Sequence, residues 1–300
     1  MEEDRLVRYG RSVRRVLLLT LGLNAAVALA KMLWGYVSGS VGMFSDGIHS
    51  LVDGTSNVIG LVGIRLASRP PDPTHPYGHR KFETVFTAII SGMIFLAAAG
   101  VLRRAFTDLT GEHHPEVGLV SFGVMGLTLL VNITVMRYEL RRGRELGSEY
   151  LRADAMHTKS DIFASLGVVA GLILTRMGYP WADAVAGAVV ALFIARIGVD
   201  ILRRAARVLV DTVQMDTAKI CQVVYSVKGV RDCHNIRTRG MERHVHLDLH
   251  IQLDADISLE EAHAITHQVE DRLRESFPEV ADIVVHTEPT DNMPRGPIPS

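Results

Sequence analysis

The apolar residues of the chain gather into six long runs, at about 16–36, 41–64, 85–101, 117–135, 155–174 and 182–201. Each approaches the roughly 20 residues that a helix needs to cross a bilayer, so the pattern predicts a bundle of six transmembrane helices. Past residue 210 the pattern changes. Residues 216–227 carry apolar positions at helical spacing, whereas 230–239 and 244–253 read as strands, the second alternating polar and apolar throughout (HVHLDLHIQL). Ser258-x-x-Glu261 is a capping-box pattern opening a helix to about 277, and 280–287 reads as a third strand. The expected organisation is a transmembrane domain over 1–208 and a cytosolic α+β domain over 209–290. The Pro-rich tail Glu288–Ser300, with 291–300 outside the cytosolic domain, is expected to be disordered. A soluble domain of under about 90 residues is marginal alone, so pairing with a second copy would help it.

Two of the apolar runs carry the same polar insertion, Asp46-x-x-His49-x-x-x-Asp53 and Asp154-x-x-His157-x-x-x-Asp161. The i, i+3, i+7 spacing puts three side chains on one helical stripe, with each His–Asp pair one turn apart. Two such pairs facing each other supply two nitrogens and two oxygens, a closed four-coordinate set suited to Zn²⁺. A single acid in an apolar helix is as readily a structural hydrogen-bonding group. Six ionisable residues in two matching arrays are another matter. Each costs about 2.5–3.5 kcal/mol at membrane depth even on the lenient insertion scale, and a shared divalent cation repays that cost. Lys31, Asn24, Asn57, Asn132 and Lys159 also fall within the spans and are expected to face the bundle. Lys159 stands two residues from both His157 and Asp161, which turns it about 160° away from the metal face.

Charge orients the bundle. Arg5, Arg8, Arg11, Arg14 and Arg15 precede the first run; Arg65, Arg69, Arg80 and Lys81 lie between the second and third. Arg137, Arg141, Arg142, Arg144 and Arg152 lie between the fourth and fifth, and Arg203, Arg204 and Arg207 follow the sixth. The opposite turns are nearly free of basic residues, Arg103 and Arg104 being the discordant pair. The positive-inside rule therefore puts both termini in the cytoplasm, in a multi-pass protein of the cytoplasmic (inner) membrane. Overall the chain has 300 residues, 48% of them hydrophobic, a mean hydropathy of +0.19 and a net charge of −1. That balance argues against a nucleic-acid partner. Cys221 and Cys233 give no disulfide framework. The charged N-terminus reads as a cytosolic lead into a retained helix and not as a cleaved signal. No nucleophile–base arrangement or H-E-x-x-H helix suggests an enzyme.

Further donors lie outside the spans. The loop RPPDPTHPYGHRKFE, punctuated by Pro and Gly, holds Asp72, His75 and His79 within reach of one ion. The C-terminal domain carries His234, His244, His246, His250, His263, His267 and His286, with Glu288. By parity His244, His246 and His250 share one face of their strand. Any one of these is most simply a surface histidine; as a set they point to metal.

The residues HSLVD (His49–Asp53), HTKSD (His157–Asp161) and DPTHPYGH (Asp72–His79) resemble those of the cation diffusion facilitators, proton-coupled exporters of divalent metals. The resemblance covers nearly the whole chain and implies a six-helix membrane domain followed by a small α+β, ferredoxin-like metallochaperone domain. It implies a transport site of His49, Asp53, His157 and Asp161, and a loop site of Asp72, His75 and His79. It implies a cytosolic site of His234, His250, His263 and His286, with Glu288 where relatives often have Asp. His244, His246 and His267 have no counterpart. It also implies a homodimer, with Lys81 and Asp211 in charge contacts at its waist. A His–Asp/His–Asp site is associated in this family with zinc, as transported and regulatory ion, and imidazole agrees in direction without excluding Co²⁺, Ni²⁺, Fe²⁺ or Mn²⁺. Asp46 and Asp154 are placed behind the histidines or along the ion path.

Metal needs neutral imidazole and ionised carboxylate, so protons compete with it. Alternating access around a midplane site then couples export to the proton gradient. A channel is disfavoured because a closed four-ligand site releases ions slowly. A membrane-bound metal sensor, which would bind without transporting, is the remaining alternative, beside exporters that prefer Fe²⁺, Mn²⁺ or Co²⁺.

Overall fold

The computed structural model describes residues 2–38, 44, 47, 48, 50, 51, 53–110, 119–177 and 181–290. The chain divides into two compact units, Met1–Ala206 and Arg207–Ser300. The described elements of the first are all helices. Its described helices are α1 (Glu2–Ser38), α2 (Thr55–Ala67, preceded by helical residues 47, 48, 50, 51 and 53), α3 (Lys81–Thr110), α4 (Leu119–Leu146), α5 (Glu149–Arg176) and α6 (Trp181–Leu209). They fall where the six apolar runs lie and extend past them, because a helical hydrogen-bond ladder continues into water beyond the hydrocarbon edge. Among the described residues, Leu6–Val37, Lys81–Arg103 and Val185–Leu209 are long and apolar enough to cross a membrane by length and composition.

The bundle is inside-out relative to a soluble protein. Leu33, Leu96, Leu127, Leu130, Leu192 and Phe193 are exposed, while Thr20, Lys31, Asn57, Glu83, Ser91, Glu139, Asp154 and His157 are buried. That is the distribution hydrocarbon selects: apolar side chains outward, ionisable groups toward the bundle interior. Close packing holds it. A Cβ on Gly60 of α2 would clash with the Tyr150 ring of α5, so only glycine lets that ring come so close to α2. There the Tyr150 hydroxyl donates to the Ser56 carbonyl. Ser91 of α3 donates to the Gly198 carbonyl of α6 at 2.9 Å. Around these contacts Val13, Leu17, Ile64, Ile90, Ile94, Leu151 and Ile194 form the core.

Glu83, at the start of α3 and fully buried, ties three helices. Its carboxylate accepts from the Tyr9 hydroxyl of α1 at 2.5 Å, the Ser148 hydroxyl at 2.6 Å and the Tyr150 backbone N–H of α5 at 3.2 Å. The Arg80 guanidinium lies 4.0 Å from the Tyr9 ring centroid. Ser148 also receives the Leu151 N–H at 3.3 Å, capping α5. Gly147, at φ 67°, provides the left-handed turn that ends α4.

The second unit contains α7 (Thr217–Val224), β1 (Asp232–Met241), β2 (His244–Leu253), α8 (Leu259–Ser276) and β3 (Val280–Pro289). The sheet order is β1-β2-β3, antiparallel then parallel. Ser258 caps α8 as its sequence pattern predicts, its hydroxyl accepting from the Glu261 N–H at 3.1 Å. Odd-numbered positions of β2 (Leu247, Leu249, Ile251, Leu253) are buried with Ile220 and Val224 of α7 and Ile265, Val269 and Leu273 of α8. The even positions therefore form the face away from the helices. One expectation is corrected: Glu288 and Pro289 do not begin the tail but pair with Gln252 and Leu253 in the sheet. Their pairing with β2 is non-local, so the sequence around them does not show it. Residues 291–300 lie outside the described residues.

A bulge in β1 sets the chemistry of the open face. His234 pairs with His250, yet Arg237 pairs with Asp248, so β1 has one residue more than β2 between those points. Asn235, at φ 52°, absorbs it; Asn tolerates that left-handed conformation better than most residues. Cys233 and Thr238, of opposite parity, are consequently both buried, and His234 stays beside His250.

Candidate metal sites

α5 carries Asp154, His157 and Asp161 on one stripe, as their spacing requires. One cavity inside the bundle is lined by His157, Thr158 and Asp161 of α5, by Ser50, Asp53 and Ser56, by Asn24 and Val27 of α1, and by Thr128 and Asn132 of α4. Three of the four residues expected at the transport site thus meet at one place. The fourth, His49, lies outside the described residues, as does Asp46. His157 is 5% exposed, and neither of its ring nitrogens has a hydrogen-bond partner among the described residues. A buried polar atom left in that condition costs about 1–3 kcal/mol, a cost that a ligated cation removes. The donor set, one imidazole and two carboxylates, is one that borderline divalent metals accept. Asp154 is 1% exposed and its Oδ2 is likewise without a partner, as is Oε2 of the buried Glu139. Lys159 does not line the cavity; its ammonium stands 5.6 Å from the Phe163 ring centroid, consistent with its angular offset along the helix.

In the loop before α3, the donor atoms of Asp72, His75 and His79 lie within 4.8 Å of one another. His75 Nδ1 is 3.3 Å from Asp72 Oδ1 and His79 Nε2 is 3.3 Å from Asp72 Oδ2. His79 Nδ1 lies 3.1 Å from the Pro70 carbonyl, which orients the ring with Nε2 toward the aspartate. The Thr74 hydroxyl, then the backbone N–H groups of His75 and Thr74, hold the Asp72 carboxyl well below the usual carboxylate range. An ionised Asp72 beside two imidazoles is a donor group that could hold a cation.

On the open face of the sheet, His234, His250 and Glu288 form the second compact donor group. Glu288 Oε1 is 2.7 Å from His250 Nδ1, and Oε2 is 3.2 Å from His234 Nε2. The His250 hydrogen bond, with the charges of His234, His250 and His286 nearby, lowers the Glu288 pKa. His286 is at the margin: its ring centroid is 4.7 Å from that of His250, but its Nε2 is 3.8 Å from Glu288. His263 is not brought to this group within the protomer. It lies on α8, on the other side of the sheet, with its Nε2 3.1 Å from His267 Nε2. Sequence reasoning missed Asp232, whose Oδ2 lies 3.0 Å from His234 Nδ1; an acid two residues before a strand histidine shares its face, and that was the available signal. It also missed Glu83, an ionisable residue opening an apolar run.

Two family profiles match in tandem: the cation efflux transmembrane domain over residues 17–210 and the cation efflux protein cytoplasmic domain over 213–290. The chain is a cation diffusion facilitator. An uncharacterized transporter of Methanocaldococcus jannaschii is 34% identical over 94% of this chain and 100% of its own length. The cation-efflux pump FieF of Serratia proteamaculans is 30% identical over 96% of this chain and 97% of the pump. The manganese efflux system protein MneS of Bacillus subtilis is 26% identical over 91% of this chain and 94% of that protein. As a member of this family the facilitator is an integral membrane protein that moves divalent metal cations outward, and it is not an enzyme.

Proposed function

We propose that this facilitator exports Zn²⁺ from the cytoplasm in exchange for protons, through a site formed by His49, Asp53, His157 and Asp161. The observation that carries this reading is the convergence of Asp53, His157 and Asp161 on one cavity, with the His157 nitrogens unpaired among the described residues. Protons reach the same lone pairs as the metal, so occupancy by one excludes the other. Two arrangements of the bundle around this cavity, one open to each side, would turn that competition into antiport. Basic loops support an inner-membrane protein with both termini in the cytoplasm.

The loop cluster of Asp72, His75 and His79 would collect or pass on the ion at the cytosolic surface. The group of His234, His250 and Glu288, with His286, would bind regulatory Zn²⁺ in a homodimer. A role for His263 there needs a second copy, since its own helix layer is separated from the open face by the sheet. A second reading within the family, export of Mn²⁺, is favoured by relatives named for manganese efflux. The deciding experiment is uptake by proteoliposomes across a panel of divalent metals, with a pH-sensitive dye reporting counterflow. Zn²⁺ flux with proton counterflow, lost in Asp161→Ala, supports the reading; undiminished exchange by that variant overturns it, and Mn²⁺ flux without Zn²⁺ flux shifts it to the second.

A further inference from the structure

Thr20, Asn24, Val27 and Lys31 of α1 are spaced i, i+4, i+7 and i+11 and share one stripe of the helix. The first meets Asn57 at 2.6 Å, and the next two line the transport cavity. The stripe ends in a cation. Lys31 is 4% exposed, and its Nζ donates to the Ser50 hydroxyl at 2.9 Å. Ser50 itself lines the cavity, one helical turn before Asp53. A lysine buried within a membrane span is costly and marks a pathway or a paired charge. Its place here is the margin of a cavity whose described acids are Asp53 and Asp161.

We propose that Lys31 is a tethered counter-ion of the transport site, a positioning residue whose ammonium offsets the site's carboxylates when metal has left and opposes metal retention when it is bound. This rests on the reading of the cavity as the transport site. Carboxylates left in a low-dielectric interior without an opposite charge are strongly destabilised, so a metal-free site must hold protons or another cation. An ammonium on a long flexible stem supplies one without leaving the protein. Its cost to a bound divalent ion is repulsion across the cavity wall, which weakens affinity and speeds release. A lysine present only to satisfy Ser50 would do neither.

The test is Zn²⁺ and Mn²⁺ flux by the full chain in proteoliposomes, with KM and kcat separated, for Lys31→Met, Lys31→Gln, Lys31→Arg and Asp161→Ala. Removing the charge should lower KM by at least about tenfold, since a divalent and a monovalent ion interact appreciably at cavity dimensions, and should lower kcat as the ion is retained. Lys31→Arg, which keeps the charge, should retain both constants near those of the parent. Unchanged KM in both neutral variants overturns the proposal, as does loss of kcat in Lys31→Arg equal to that in Lys31→Met. If Lys31→Met fails to fold, Lys31→Gln gives the same readout, and failure of both neutral variants alongside a folded, active Lys31→Arg supports the charge requirement. Undiminished flux in Asp161→Ala would instead overturn the site reading, independently of Lys31.

Discussion

The cavity in the bundle and the donor group on the sheet contain the same chemistry, imidazole and carboxylate, but their histidines stand in opposite states of satisfaction. His157 is 5% exposed and its nitrogens have no protein partner among the described residues. His234 and His250 have side chains 30% exposed, and both already bond to Glu288. At the first site a metal would meet imidazole nitrogens that bond to no described residue. At the second it must break hydrogen bonds that stabilise the metal-free sheet. On the proposed reading, the first arrangement would serve an ion bound and released every cycle, and the second a regulatory ion.

The largest effect expected from this contrast comes from His157→Ala. If His157 ligates the ion as proposed, its loss should exceed the roughly 10–100-fold affinity cost typical of outer partners, and flux assays should find exchange abolished. His234→Ala should leave the maximal flux measurable and change its dependence on cytosolic metal concentration instead. Equal loss in both variants would erase the distinction between the two sites.

A second break targets the bulge. Deleting Asn235 removes the extra residue of β1, so His234 and Thr238 can no longer both keep their present faces. Either His234 turns toward the helices or the strand before it re-registers. Equilibrium dialysis should show one Zn²⁺-binding group lost from the cytosolic unit while the loop cluster still binds. Retained stoichiometry would mean that the bulge does not position His234.

Smaller again is the effect of Glu83→Gln. The amide keeps the shape but gives up a charged acceptor shared by Tyr9, Ser148 and the Tyr150 N–H. Weakening buried hydrogen bonds of this kind costs about 1–3 kcal/mol, read as a lower thermal midpoint in detergent with metal affinity at the sheet unchanged.

Much of this was legible in the sequence, for physical reasons that differ by region. The bundle follows from run length, because hydrocarbon thickness sets a minimum that composition exposes directly. Asp53, His157 and Asp161 were readable because helical periodicity fixes which side chains share a stripe. Strand β2 was readable to the residue because its alternation is uninterrupted. Elsewhere the sequence is silent. The bulge at Asn235 breaks parity, and nothing local announces it. Glu288 looked like tail because its pairing with β2 is non-local. The resemblance groups His263 with the sheet histidines, whereas within one protomer it lies on α8 beside His267, and strand alternation cannot say on which layer a helix lays its polar face. Glu83 draws its partners from α1 and α5, a convergence set only by tertiary packing.

The smallest effect expected is on the acid stability of the cytosolic unit. Arg231 forks onto Asp254 with contacts of 2.9 and 2.7 Å, clipping the residue before β1 to the residue after β2. The Arg231 hydrogen bond and charge hold the Asp254 carboxyl below its usual range. A carboxyl depressed in the folded state contributes stability that is present above its unfolded pKa and is lost as pH falls through the folded value. Asp254→Asn should therefore lower the thermal midpoint slightly near neutrality, and the gap from the parent should close as pH falls below the ordinary aspartate range. Because both side chains are solvent-exposed, added salt should shrink the same gap at neutral pH. A gap that persists unchanged into strong acid would assign the effect to lost hydrogen-bond geometry and not to charge.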